Sequence, residues 1–269
     1  MPLKPFCRRS QLMNVKNFLL KLKRHQFLFE ELVKRDFKQK YKRTILGMGW
    51  SILAPLLTLF VMNLIFRRFF GRTVNHYTIY LFCGNLLFSY FKEATAGGMN
   101  ALVGTAGIFT KVNVPKYLFL FSKNVSALFN FGLTLCVFFL FVLFDRIHFG
   151  IHFLALLYPI VCLVVLNLGV GMILSALFVF FRDVKYLYDV FTMLLMYCSA
   201  TFYTVPDKYQ IYFMLNPIYT YIRYFRLIVL DGRIPSLGHH VLCALFAVLF
   251  FGIGCWMYKK YNHRFLYYL

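Results

Sequence analysis

Acidic residues are scarce in this chain. Nine Asp and Glu stand against 30 Lys and Arg, and only 14% of its 269 residues are charged. No paired-carboxylate arrangement, H-E-x-x-H or G-x-S-x-G motif occurs, so no catalytic residue is expected. A G-x-x-x-x-G-K-[ST] phosphate loop is missing too, so any nucleotide energy must be bound by another chain. The seven cysteines form no C-x-x-C pair, and six of them fall within apolar segments or at their edges. They read as small hydrophobes of a helix bundle rather than a disulfide framework or a zinc site. His148 and His152 are four apart, but Gly150 and a short loop lie between them, and no metal site is expected. No cleavable signal peptide is expected either, because the first long apolar run starts only after Arg43.

What is abundant is apolar: 61% hydrophobic residues, 20% aromatics, and a mean hydropathy of +0.66. Soluble domains carry about a quarter charged residues. Here the apolar residues gather into bilayer-length runs, which predicts one all-α integral membrane domain. The formal charge of +21 raises nucleic acid as a partner, but its placement argues against it. Thirteen cations lie in residues 1–43, immediately before the first apolar run, where the cytoplasmic flank of a span concentrates them.

Residues 1–45 are expected to form a basic amphipathic leader lying at the membrane interface. Leu12, Val15, Leu19 and Leu22 make one apolar stripe and Phe29, Val33, Phe37 and Tyr41 a second, with Lys34, Arg35, Lys38 and Lys42 largely off it. Six crossings are expected within residues 46–258: 46–66 (kinked at Pro55), 78–104, 118–144, 153–181, 187–202 and 237–258. Lys92 and Glu93 interrupt the second. Either the span ends early at Phe91, or the two charges, about 100° apart on one helix, face a cavity, an interface or the headgroups. Gly171 and Ser175 form a small-xxx-small step for close packing in the fourth. Between spans five and six, Ile218, Ile222, Phe225 and Val229 share a face, with Arg223 and Arg226 off it. This segment reads as a short amphipathic or re-entrant helix. With the amino terminus inside, 21 cations fall on the inner side and 8 on the outer, so both termini, including the tail 259–269, are expected in the cytoplasm.

Four stretches in order carry a family resemblance: "RDFKQKYKRTILGMGWSILAPL", "IFTKVNVPKYLFLFSKN", "FFRDVKYLYDVFTMLLMYCSATFY" and "LNPIYTYIRYFRLIVLDGRIP". Together they span most of the chain and resemble the permease subunit of ABC type-2 exporters, in the branch that exports O-antigen, capsular polysaccharide and teichoic acid. One departure is visible: relatives usually carry a proline after the serine of "CSATFY", where this chain has Ala200, so span five is expected to end with a different bend.

The resemblance implies a homodimer of permeases in a bacterial cytoplasmic (inner) membrane, working with two copies of a separate subunit that binds ATP and Mg. It implies a polyprenyl-diphosphate-linked polysaccharide as cargo, no cofactor in this chain, and no nucleic acid. Matching positions for the ATPase-subunit interface are Ile108, Phe109, Thr110, Lys111, Val112, Pro115, Lys116, Arg182 and Asp183, although Lys111 and Lys116 also read as ordinary inner-side charges. A diphosphate needs cationic hosts, for which Arg35, Lys38, Lys42 and Arg43 stand at the inner mouth, Arg being better suited to forked phosphate contacts. Nonspecific headgroup attraction explains the same residues. Tyr80, Phe88, Tyr90, Tyr197, Phe202 and Tyr203, on the spans that line the pore in that family, are candidate glycan-channel aromatics, since a ring offers sugar an apolar face and Tyr a polar tip. Other readings stay open: a permease of the same superfamily for drugs or small lipids, a membrane enzyme of lipid-linked glycan metabolism using His148 or Asp145, and an ion-coupled carrier.

Overall fold

The computed structural model describes residues 26–42, 44–71, 74–109, 115–261 and 264–268, and among them every regular element is helical. The stripe of Leu12, Val15, Leu19 and Leu22 lies outside these residues. In chain order the α-helices are α1 (Gln26–Tyr41), α2 (Trp50–Phe70), α3 (Tyr77–Asn100), α4 (Ala106–Phe109), α5 (Tyr117–Phe144), α6 (Leu157–Phe180), α7 (Val184–Cys198), α8 (Gln210–Phe213), α9 (Pro217–Val229), α10 (Leu237–Tyr261) and α11 (Phe265–Tyr268).

Among the described residues, four segments are long and apolar enough to cross a bilayer: Gly47–Phe70, Tyr117–Phe144, Ile151–Phe180 and Leu237–Tyr261. They coincide with the first, third, fourth and sixth expected crossings. The other two differ for separate physical reasons. α7 has 15 residues, about 22 Å at 1.5 Å per residue, against a hydrocarbon core of about 30 Å. α3 is long enough, with 24 residues, but Lys92, Glu93 and other polar side chains leave it less apolar than those four; 17 of its residues are buried in the bundle. The helix runs without a break through Lys92 and Glu93.

α3 is the central post. It packs against α2, α5, α6 and α9, and Thr95 shares a hydroxyl–hydroxyl hydrogen bond with Tyr188 of α7. In lipid, apolar helices gain little from the hydrophobic effect on meeting, so close van der Waals packing and interhelical hydrogen bonds decide association. The tightest such seam joins α6 to α10. A Cβ on Gly169 would lie 2.4 Å from the backbone N of Phe251, one on Gly254 2.8 Å from Gly169 O, and Ser175 Oγ meets Tyr258 Oη at 2.6 Å. The small residues expected to pair, Gly171 and Ser175, therefore serve different neighbours: Gly171 faces Gly98 of α3 and Ser175 faces α10. Gly169→Ala is expected to lower the thermal transition of the purified protein by about 5 °C or more, because backbone cannot yield to the methyl group. Gly171→Ala, whose Cβ would sit 3.5 Å from Gly98 Cα, is expected to stay within about 2 °C. Scanning fluorimetry of the two variants checks the contrast.

α1 docks along α5, but its contact face is not centred on the expected stripe. Leu32 and Asp36 are the buried positions, while Phe29, Val33 and Phe37 are only half-buried beside them. The reason is electrostatic: Asp36 accepts from Lys123 Nζ at 2.9 Å, Arg35 Nη2 at 2.9 Å and Ser122 Oγ at 3.1 Å, which turns this edge of the helix inward.

Candidate functional site

Two polar cavities lie against α3, one towards each end. The first is formed where α1, α2, α3 and α5 meet and holds about 410 Å³. Glu93 anchors it, accepting from Lys40 Nζ at 2.7 Å and Asn130 Nδ2 at 2.5 Å, while Ser51 Oγ reaches Asn130 Oδ1 at 3.4 Å. Glu93 is half-buried, and both of these partners offset the cost of placing its carboxylate among apolar helices. Here the leader helix supplies the cation and α5 the amide. Trp50, Pro55, Tyr90 and Phe131 give the cavity apolar walls, and Asn85, Ser89, Thr58 and Thr134 add hydroxyl and amide groups. Lys92 points away and is exposed, so the neighbouring charges diverge as helical spacing requires.

The second cavity, about 660 Å³, lies at the amino-terminal end of α3 between the 74–76 turn, the 204–210 segment and α9. Its floor is organised by Arg226, which stands off the stripe of Ile218, Ile222, Phe225 and Val229 yet is buried. α9 is buried nearly all round, Arg226 included. Nη1 donates to Ala200 O at 2.9 Å, Nη2 to Thr201 O at 2.7 Å, and Nε and Nη2 to Tyr80 O at 3.3 and 3.2 Å. The guanidinium also covers the Tyr80 ring, 3.4 Å from its centroid. Three carbonyls and an aromatic face thus replace the carboxylate a buried cation usually finds. The helix begins at Asn216, whose side chain caps Ile218 N at 2.9 Å, followed by Pro217 with its preset φ. Gly84 makes room for the clasp, since a Cβ there would lie 2.6 Å from Thr201 O and 2.9 Å from Arg226 Nη2.

The clasp also shapes the turn at Ala200. Its φ is +48°, in the left-handed region, and its carbonyl is turned onto Arg226. Proline, locked near −65°, could not adopt this conformation.

The aromatic candidates separate. Tyr80 lines the second cavity and donates from Oη to Tyr203 O at 2.6 Å. Tyr90 lines the first. Phe202 is buried and stacked on Phe66 at 4.5 Å, Tyr203 is half-buried beside it, and Tyr197 is exposed. Phe88 packs in the main core and lines neither cavity.

Among the cations of the leader, Arg35 is engaged with Asp36, Lys38 and Lys42 are exposed, and Arg43 lies outside the described residues. Thr110, Lys111 and Val112 also lie outside them, and Ile108 and Phe109 end α4. Pro115 and Lys116 are half-buried, with Lys116 Nζ 5.3 Å from the Phe265 ring centroid and burial lowering its pKa. Phe265 is 5.9 Å from Phe180, just before exposed Arg182 and Asp183, and Arg182 lies over the Phe178 ring. The two segments expected to share a face therefore meet at one end of the bundle, bridged by the carboxyl-terminal α11. Sequence reasoning missed that bridge, because a four-residue helix has no periodicity to read. It also missed Asp36, Asn130 and Arg226, each carrying an ordinary polar side chain whose importance comes from what the fold packs against it.

The pattern of the ABC-2 type transporter family matches residues 28–230, which include most of α1, the first cavity, the Arg226 clasp and all of the second cavity's lining except Asp231. The O-antigen export system permease protein RfbA of Klebsiella pneumoniae is 25% identical over 249 residues, covering 89% of this chain and 95% of the relative. RfbA of Myxococcus xanthus is 27% identical over 222 residues (80% and 85%), and the polysialic acid transport protein KpsM of Escherichia coli 22% over 236 residues (86% and 92%). With the match running across three quarters of its length, this all-helical membrane chain belongs to the ABC-2 type transporter family.

Proposed function

We propose that this chain is the transmembrane permease of an ATP-driven exporter that moves a polyprenyl-diphosphate-linked polysaccharide out across a bacterial cytoplasmic membrane. The observation that carries the reading is the alignment along nearly the whole length of relatives named as O-antigen export permeases and a polysialic acid transport protein. O-antigen, capsule and teichoic acid are all within the proposed cargo class.

The geometry is compatible with that role. A six-span arrangement would count α2, α3, α5, α6, α7 and α10, with α9 as the re-entrant element and both termini inside. Exposed apolar residues on α2 and α7, such as Phe60, Leu64, Val190 and Leu194, suit lipid or a second copy of the chain in a homodimer. The end of the bundle where Lys116, Phe265 and Phe180 converge would receive the ATP-binding subunits, one per permease, which bind ATP and Mg. Cations of the leader, Lys38 and Lys42 among them, would meet the lipid diphosphate beside the cavity anchored by Glu93.

The purified chain is expected to hydrolyse no ATP. Together with a co-purifying ATP-binding subunit in proteoliposomes, it is expected to move lipid-linked glycan only when ATP is supplied. Glycan movement by the lone chain, or ATP hydrolysis that persists after rigorous removal of the partner, overturns the proposal.

A further inference from the structure

We propose that the cavity at the amino-terminal end of α3 is a sugar-binding site, taking a short segment of the exported glycan. This rests on the polysaccharide reading above and deepens it. The volume of about 660 Å³ is within the range of small-molecule sites, roughly 300–1,000 Å³. Its chemistry narrows the ligand. Asp207 and Asp231 offer acceptors, Arg223, Gln210 and Asn75 offer donors, and Tyr219 adds a ring. A sugar presents adjacent hydroxyls, each of which donates and accepts, beside a flat C–H face. Forked carboxylates and guanidiniums fit neighbouring hydroxyls as they fit each other. With two carboxylates and two guanidiniums on the wall, neither sign dominates, which disfavours a simple anion or cation.

The groups are also held ready. Among the described residues neither carboxylate is ion-paired with an arginine, and Asp207 Oδ1 takes only Gln210 Nε2, at 2.5 Å. Arg223 Nη1 has no acceptor among the described residues, so a ligand would not have to displace a protein partner from it. The floor is fixed by the Arg226 clasp. The 74–76 wall is fixed by His76, left-handed at φ 54° and joined through Nδ1 to Asp145 Oδ2 at 2.8 Å. Rigid mounting of this kind lowers the ordering cost of binding. With the amino terminus inside, the cavity opens on the outer side, where it would hold the glycan as it leaves and oppose backsliding.

The test uses the full chain in detergent and, as probe, oligosaccharides of about two to six units released by mild acid from the surface polysaccharide of the bacterium that carries it. The wild type is expected to bind them in saturation-transfer NMR and calorimetry. Arg223→Gln and Asp207→Asn are each expected to weaken binding about tenfold or more at unchanged thermal transition, and Lys34→Gln, exposed on the distant α1, to leave it unchanged. Equal binding by wild type and both cavity variants overturns the site, as does inorganic phosphate binding as tightly as the oligosaccharides. If the wild type binds nothing while its complex with the ATP-binding subunit still exports glycan, the site fails and the functional reading stands. If the chain binds the oligosaccharides but the complex exports no glycan, the site stands and the reading fails.

Discussion

Arg226→Leu is expected to lower the thermal transition by about 10 °C and to abolish export. The substitution keeps an apolar side chain in the buried position and removes every donor of the guanidinium. Without it, the carbonyls of Ala200, Thr201 and Tyr80 lose their donors in a buried setting. A stranded buried polar group costs about 1–3 kcal/mol, giving roughly 3 kcal/mol or more in total. For a chain of this size each kcal/mol moves the transition by about 2–4 °C. Arg226→Lys is expected to recover less than half, because an ammonium is a point donor and cannot fork to three acceptors while covering the Tyr80 ring. Left unsupported, the left-handed turn at Ala200 would relax, and with it the floor of the cavity at the amino-terminal end of α3. Fluorimetry in detergent with size-exclusion profiles measures the first effect, and vesicle transport the second. A leucine variant melting within about 2 °C of wild type would show that the clasp holds nothing together.

The second large effect is expected at the opposite end of α3, at Asp36. Asp36→Ala removes the acceptor that Lys123, Arg35 and Ser122 share and leaves the partly buried Lys123 ammonium without its carboxylate. Breaking a buried pair by deleting one partner costs about 3–5 kcal/mol. The loss falls on the seam between α1 and α5, so the leader should detach before the bundle unfolds. Limited proteolysis is expected to cut α1 of the variant at least about tenfold faster, with export lost and α5, α6 and α10 still protected. The double variant Asp36→Leu with Lys123→Leu, which removes both charges, is expected to restore most of the protection, since an apolar replacement avoids the stranded charge. A single variant as resistant as wild type would place the docking energy in Leu32 and its apolar neighbours instead.

Particular elements show how far the sequence could be read. Ile218, Ile222, Phe225 and Val229 were legible as one buried face because a 3.6-residue period needs no partner to be visible. The same pattern could not show that Arg226 is buried, since nothing local reveals that three carbonyls from α3 and from the turn after α7 converge on it. Glu93 announced itself as a charge in an apolar run, but its partners Lys40 and Asn130 lie 53 and 37 residues away. Gly171 was legible as small, whereas only the packed α10 backbone makes Gly169 the intolerant position.

By itself the sequence determined that this is a helical membrane protein, where most of its apolar segments begin and end, that no nucleotide loop is on board, and which family it resembles. Each of these is written in composition, periodicity or contiguous motif, and none requires knowing which helices touch. Tertiary structure alone decided that α3 is the buried post, that Asp36 and Glu93 dock the leader, and that Arg226 closes a cavity at the far end. Those outcomes depend on cations and carboxylates finding acceptors and donors distant in the chain. In a medium without water to solvate them, such pairings fix which surface of each helix turns inward.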